Sequence, residues 1–403
     1  MVLPHVPSSF EDTAERAFHH HVLHQVTYDT VLKPVRREGH ARAAAWLQAR
    51  AGDRSDELLA ITAQHFERSG DHREAIEWYL RAAKKAQDRN ATSTAMGYCD
   101  LALDLPPPAD RRPRIQTLLR KARICDGLAL YTLMGQTLAL AFDEASAIGA
   151  EDLKLSAIGG QVMHADRIGD SERAWALALQ QAEATELADN AVGACLAWGN
   201  LAWVSKERGD LVTAWQQLER AQHWARQFSE RRQGDPDGRL YEGQLLQVAA
   251  ALHSDSMDGD RGVEALQQAL AIAVTLTVNR PRAIAGAEQG LAAFALLRAD
   301  AVGARSHVDA AARQCQVGQL ALLARECIHT RASLALLEGD AQQAADGARA
   351  ASAGFAELQM LSHQSSSLLT LARASTALGA CRAFTPISIG RWPRQWGHRS
   401  GNH

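Results

Sequence analysis

The sequence predicts an all-α solenoid, a stack of helix pairs. Three observations carry the prediction: a dipeptide that returns at a near-constant interval, helical apolar spacing on either side of it, and a small residue at a fixed distance after it. Gly169-Asp170, Gly209-Asp210, Gly259-Asp260, Ala299-Asp300 and Gly339-Asp340 follow one another at 40, 50, 40 and 40 residues, and Gly70-Asp71 opens the series 99 residues earlier. A period of this size marks stacked helical repeats. Between Cys195 and Ala225, Trp198, Leu201, Ala202 and Ser205 recur at helical spacing before the dipeptide, and Leu211, Ala214, Leu218 and Ala221 do so after it. Gly209 suits the left-handed conformation that ends a helix, and Asp210 caps the next. An alanine stands four residues after the aspartate at Ala75, Ala174, Ala214, Ala304 and Ala344; after Asp260 it slips by one, to Ala265. Trp175 and Trp215 share the next position and read as packing anchors rather than a binding box.

In chain order, residues 1–54 read as a helical segment and 55–105 as the first repeat. Residues 106–113 carry Pro106, Pro107, Pro108 and Pro113, which cannot be helical throughout, and read as a hinge or linker. Residues 114–380 hold the remaining repeats, beginning with a degenerate unit over Arg114–Gly149 that lacks the Gly-Asp turn. The ten-residue excess before Asp260 falls in an exposed loop, Gln233–Gly238. A first helix spans Ser365–Leu378, but no second follows. Residues 381–403 form a disordered tail without an acidic residue, rich in Pro, Arg and Trp. Loss of the pattern at a repeat midpoint points to truncation or a changed reading frame near Gly379. The competing reading is a basic tail that touches RNA or lipid.

The repeat resembles the tetratricopeptide family: Trp198, Leu201, Ala202, Gly209, Asp210, Ala214, Leu218 and Ala221 match its pattern, and Ala63, Phe66, Gly70, Asp71, Ala75, Tyr79 and Ala82 match it again. The resemblance spans residues 55–380 and implies a tetratricopeptide-like superhelix whose first helices line a concave groove. On that analogy Gln64, Glu67, Arg68, Met163, Arg167, Trp203 and Lys206 are groove candidates. A second resemblance lies upstream. Phe18, His20, Val26, Tyr28, Arg36, Arg37 and His40 look like the segment that follows the ATPase module in multidomain class III adenylate or guanylate cyclase-like proteins and ATP-dependent transcriptional regulators. The chain departs from that pattern at His24-Gln25 and at Gly39. In that family the catalytic modules lie upstream, so the resemblance implies the regulatory arm without its engine.

The chemistry sought elsewhere is absent from the sequence. No G-x-x-x-x-G-K-[ST], H-E-x-x-H, G-x-S-x-G or G-x-G-x-x-G occurs. His20 and His24 lie one helical turn apart, the spacing of two ligands of an incomplete metal site, but no third is suggested, and four histidines in six residues equally suit a solvated or packed helix. No catalytic residue, cofactor or metal is therefore assigned. The net charge of −3, from 43 basic and 46 acidic residues, gives no global pull toward nucleic acid or an anionic membrane. The six scattered cysteines contain no C-x-x-C and read as buried free thiols of a cytoplasmic protein.

The sequence thus predicts a non-catalytic regulatory interaction module of a bacterial signalling protein. Its expected partner is a protein or peptide in the concave groove, with a small-molecule effector as a second ligand class and neither nucleic acid nor membrane. The uncapped end leaves homodimerisation through Ser365–Leu378 open. The alternative is a fragment of a cyclase-like or ATPase-containing regulator whose catalytic domains are missing from the chain.

Overall fold

Left-handed residues recur at twenty-residue steps in two long runs, and they divide the chain into helices. The computed structural model describes residues 2–5, 15–51, 56–358 and 360–379. After a short antiparallel pair, β1 (Val2–His5) and β2 (Glu15–Phe18), everything regular is helical. The N-terminal helices are α1 (His21–Thr30), α2 (Lys33–Ala51), α3 (Asp56–Ser69), α4 (His72–Asp88) and α5 (Thr92–Asp104). There follow α6 (Arg112–Gly127), α7 (Tyr131–Ala147), α8 (Glu151–Arg167), α9 (Ser171–Leu187), α10 (Ala191–Glu207) and α11 (Leu211–Arg231). The last are α12 (Leu240–Asp255), α13 (Gly259–Ala273), α14 (Arg280–Leu297), α15 (Ala301–Gly318), α16 (Ala321–Leu337), α17 (Ala341–Glu357) and α18 (Leu361–Ala377). The described residues therefore form an all-α helical-repeat superhelix.

Positive φ occurs at Ala129, Gly149, Gly169, Asp189 and Gly209, and again at Asn279, Ala299, Gln319 and Gly339. Each run has a step of twenty, so the forty-residue interval is two helices of about seventeen residues with their tight turns. The turn geometry is the same at each junction. The Asp170 N–H donates to the Ala165 carbonyl at 2.8 Å and the Asp210 N–H to the Ser205 carbonyl at 3.0 Å, closing the preceding helix. The side chains of Asp71, Asp170, Asp210, Asp300 and Asp340 each accept the N–H three residues on, opening the next.

One unit departs from the expected register. The turn before α13 is Met257-Asp258, not Gly259-Asp260: Met257 has φ 59° and Asp258 accepts the Arg261 N–H. Gly259 and Asp260 lie inside the first helical turn. With Asp258 as the cap, the small residue four positions on is Gly262, so the apparent slip to Ala265 disappears. A Cβ on Gly262 would stand 2.3 Å from Cζ of Phe294, which explains why even alanine is excluded there. Ala75, Ala174, Ala214, Ala304 and Ala344 are fully buried at the equivalent place, where paired helices approach most closely. Trp175 and Trp215 are half-buried against the same core.

The Gln233–Gly238 stretch is more than an exposed loop. It ends in a 3-10 turn, Pro236–Arg239, with Gly238 buried, and the Asp237 carboxylate accepts the N–H groups of Thr277 at 2.8 Å and Val278 at 3.2 Å. Residues 106–111 are non-helical, and Pro113 sits in the first turn of α6, where its missing N–H costs nothing. The tail read at 381–403 lies outside the described residues.

Successive even-numbered helices, from α4 through α18, touch one another and form the inner layer; the odd-numbered helices pack outside them. The superhelix is tight enough to close. Asp126 on α6 meets Arg282 on α14 at 3.0 Å, and the Tyr131 hydroxyl on α7 donates to the Met360 sulfur at 3.8 Å. Ala351, Phe355 and Met360 share one buried cluster with Ile115, Leu118, Met134 and Leu138. The five described cysteines are buried and free, and burial pushes the thiols of Cys99 and Cys195 up to about 12. Among the described residues no helix is long and apolar enough to cross a membrane.

Candidate functional site

The closed turn encloses a channel of about 960 Å³ lined by the even-numbered helices. Seven residues make nearly two helical turns, so positions seven apart share a face. Met163, Trp203, Ala251 and Ala293 stand seven residues before the capping aspartates 170, 210, 258 and 300. Leu196, Gln244, Gly286 and Glu326 stand fourteen before aspartates 210, 258, 300 and 340. All eight line the channel.

Its wall mixes two chemistries. Leu196, Leu245, Val248, Phe294 and Leu323 supply apolar surface, and Asn200, Gln244, Gln247 and Gln289 supply carboxamides, each able to donate and accept. Gln289 donates to the Thr330 hydroxyl at 2.6 Å, and Gln247 reaches the Ala283 carbonyl at 3.5 Å. Gln244 is exposed to the channel. Glycines keep it wide: a Cβ on Gly286 would lie 2.5 Å from the Gln247 amide oxygen, and one on Gly199 2.8 Å from Leu245.

An ionic cluster sits at one end. The buried Asp126 carboxylate accepts from Arg167 at 3.1 Å and Arg282 at 3.0 Å. Burial alone would push this carboxyl up, but the two guanidiniums outweigh it and hold it below the usual carboxylate range. Arg167 also donates to Asp166 at 3.1 Å. Asp166 is displaced the opposite way, because burial and the nearby Glu207 outweigh Arg167 and a hydrogen bond from Trp203. The Tyr131 phenol, buried beside this cluster, is pushed up to about 12. His363, also in the channel wall, lies 3.5 Å from Glu326.

The structure brings Met163, Arg167 and Trp203 together in this wall. Lys206 stands just behind it, 4.9 Å over the Trp203 ring and paired with Glu207 at 2.8 Å and Asp255 at 3.3 Å. Gln64, Glu67 and Arg68 lie elsewhere, on α3 in the outer layer, where Glu67 accepts the Tyr79 hydroxyl at 2.8 Å. The reason is parity. Five helices, α4 to α8, separate the Gly70 and Gly169 turns, so the first Gly-Asp stands in the opposite phase to the rest. Asp126, Gln244, Gln247, Arg282, Gln289 and Glu326 escaped sequence reading, although the seven-residue register would have found Gln244 and Glu326. Among the described residues no group of three His, Cys, Asp or Glu is placed to hold a metal. His20 instead makes a 2.9 Å contact with His19 at the start of α1.

No protein-family description and no curated relative matches the chain. Solved structures do. The Rap protein complexed with Competence and Sporulation Factor superposes with a TM-score of 0.55 at 14% identity, over 81% of this chain and 98% of that one. A signal-transduction ATPase with a tetratricopeptide repeat sensor from Pyrococcus horikoshii gives 0.47 at 13% identity, over 91% of this chain and 56% of that one. A tetratricopeptide repeat protein from Parabacteroides merdae gives 0.40 at 13% identity, over 74% and 98%. By its helix pairs, its turn chemistry and its likeness to the Rap protein, this chain is a tetratricopeptide-like α-solenoid.

Proposed function

We propose that the chain is a non-catalytic interaction and regulatory module that receives an extended segment of a partner protein in the central channel. The observation that carries the reading is the wall itself, in which carboxamides on α10, α12 and α14 stand among apolar side chains. An extended peptide offers a backbone donor or acceptor at every residue, and carboxamides answer both, while the apolar positions between them take side chains. The channel volume suits a few residues of peptide. The Rap protein of similar fold is itself described in complex with Competence and Sporulation Factor.

Selection from a random peptide library against the full chain, followed by fluorescence anisotropy, tests the reading. Trp203→Ala and Gln244→Ala should each weaken a selected peptide about tenfold or more, with unchanged helicity. Peptides that bind both variants as tightly as the parent would place the interaction elsewhere. Arg167 is a poor probe, because its charge is engaged by Asp126 and Asp166.

We further propose that residues 1–54 join this module to the signalling class that the sequence resembles, as the end of an ATPase-associated segment, with the repeats acting as its cytoplasmic regulatory arm. Three of the residues that carry the resemblance pack together: Tyr28 Oη lies 2.8 Å from His40 Nε2, and Arg36 stands 4.9 Å over the Tyr28 ring. ATP and GTP turnover by the purified chain with magnesium tests the non-catalytic reading, and robust turnover would overturn it.

A further inference from the structure

A second cavity, of about 510 Å³, opens where α4 and α6 on one side meet the start of α14 and the end of α15 on the other. It is separate from the channel in its lining and in its chemistry. Lys84, Arg120, Arg123 and Arg280 face it, against a single lining carboxylate, Asp88. Sequence places these cations in three remote segments, and only closure of the superhelix gathers them.

None of Lys84, Arg123 and Arg280 makes an ion pair among the described residues. Arg120 donates through one terminal nitrogen to Gln87 at 2.7 Å, but its Nε is buried and has no hydrogen-bond partner. Burial first, and Arg123 alongside second, pull the Arg120 guanidinium below its ordinary range, against the partial offset of the nearby Asp88. An unmatched buried guanidinium donor is costly, and the cost is recovered only by an acceptor.

The opposite wall adds a second feature. The helices of the later repeats divide into those opened by an Asp or Asn side chain and those, α12, α14, α16 and α18, whose N-cap side chain makes no cap bond. The N-cap residue of α14, Asn279, is left-handed, with φ 54°. Arg280 and Pro281 of its first turn line the cavity mouth with the positive end of the helix dipole behind them, although Pro281 carries no N–H. The loop that presents them is held by Asp237, the residue contributed by the ten-residue insertion, which is occupied by the amides of Thr277 and Val278.

We propose that this cavity binds a small phosphate-bearing ligand carrying two or more phosphoryl groups. Guanidinium forks from α6 and Arg280 match phosphoryl oxygens pairwise, and the positive end of the α14 dipole adds to the same field. Such a ligand bridges α6 to α14, and so fastens the closed turn. The site is independent of the channel and of any peptide bound there.

Isothermal titration of the full chain with inorganic tripolyphosphate, ATP and citrate tests the proposal, at matched ionic strength with sulfate as the reference anion. Tripolyphosphate or ATP should bind at least tenfold more tightly than sulfate, and affinity should fall as salt rises. Arg123→Gln and Arg280→Gln should each weaken binding about tenfold, and Asp88→Asn should strengthen it. Arg280 is exposed at a helix start, so its variant tests the site even if substitution of Arg120 or Arg123 impairs folding. Tighter binding of ATP than of tripolyphosphate would identify a nucleotide, and the reverse order a bare polyphosphate. Affinity for both no greater than for sulfate or citrate, or binding unchanged in Arg123→Gln and Arg280→Gln, would overturn the proposal.

Discussion

Asp126 and Arg282 are 156 positions apart in the chain and 3.0 Å apart in space. The pair joins α6 to α14 across the closed turn, and Arg167 completes a triad around the same carboxylate. Removing Asp126 would leave two guanidiniums facing one another without their anion. Asp126→Asn is expected to destabilise the chain by about 3 kcal/mol, the scale for breaking a buried pair from one side. Arg282→Gln should cost less, about 1 kcal/mol, because Arg282 keeps contact with solvent. Urea unfolding of the two variants checks the order, and equal losses would contradict the assignment of Asp126 as the buried hub.

The turns give a prediction with the opposite sign. Ala299 occupies a left-handed conformation, φ 56°, where Gly169, Gly209 and Gly339 stand in equivalent turns. Ala299→Gly should stabilise by about 0.5–1 kcal/mol, since the left-handed strain of an L-residue outweighs the added chain entropy of glycine. Gly209→Ala, at φ 81°, should destabilise by about 1–2 kcal/mol. Thermal melts of both single variants are sufficient to read these signs.

Gly262 should be the least tolerant small position. A Cβ there meets the buried Phe294 ring at 2.3 Å, so Gly262→Ala must displace that ring. A loss of about 1–3 kcal/mol is expected. Adding Phe294→Leu should recover part of it, and a double variant no better than the single would show that the clash lies elsewhere.

Acid should weaken the fold through its histidines. Burial is the leading cause that holds His40, His65, His164, His253 and His329 below the usual imidazole range. A depressed folded value means that the unfolded chain takes up protons first, starting near the ordinary value of about 6.5. The stabilisation is thus complete above that pH and is lost as pH falls through the folded values. The melting temperature should decline from pH 7 toward pH 5. His65→Gln should flatten the decline, since His65 Nδ1 lies 2.9 Å from His40 Nδ1 and the two rings cannot both be protonated there. Asp88 and Asp166, raised mainly by burial, act in the opposite sense, but from the lower carboxylate range upward.

Much of this architecture is written locally. Gly-Asp turns, the alanine four residues on and helical apolar spacing identify the helix pairs because each depends on neighbours within a few residues. The junctions at Asn90, Ala129, Asp189 and Gln319 were harder to read, since there residues other than glycine adopt the left-handed state. Met257-Asp258 was hidden by the stronger-looking Gly259-Asp260 two residues later. The layer assignment of α3 could not be read from its turn, because it depends on how many helices intervene. Met163, Arg167 and Trp203 were legible from the repeat register. Asp126, Arg282 and the basic cavity were not, because their meeting is a property of the closed turn and of no single repeat.

That closure changes how the chain comes apart. In an open solenoid each repeat leans only on its neighbours, so the ends fray and unfolding travels inward by steps. Here Tyr131 and Met360, and Asp126 and Arg282, join helices far apart along the stack. No repeat between them can peel away without breaking contacts at the far side. The segment from α6 to α17 should therefore resist hydrogen exchange as one cooperative block and melt in a single step, with gradual fraying confined to α1–α5 and α18.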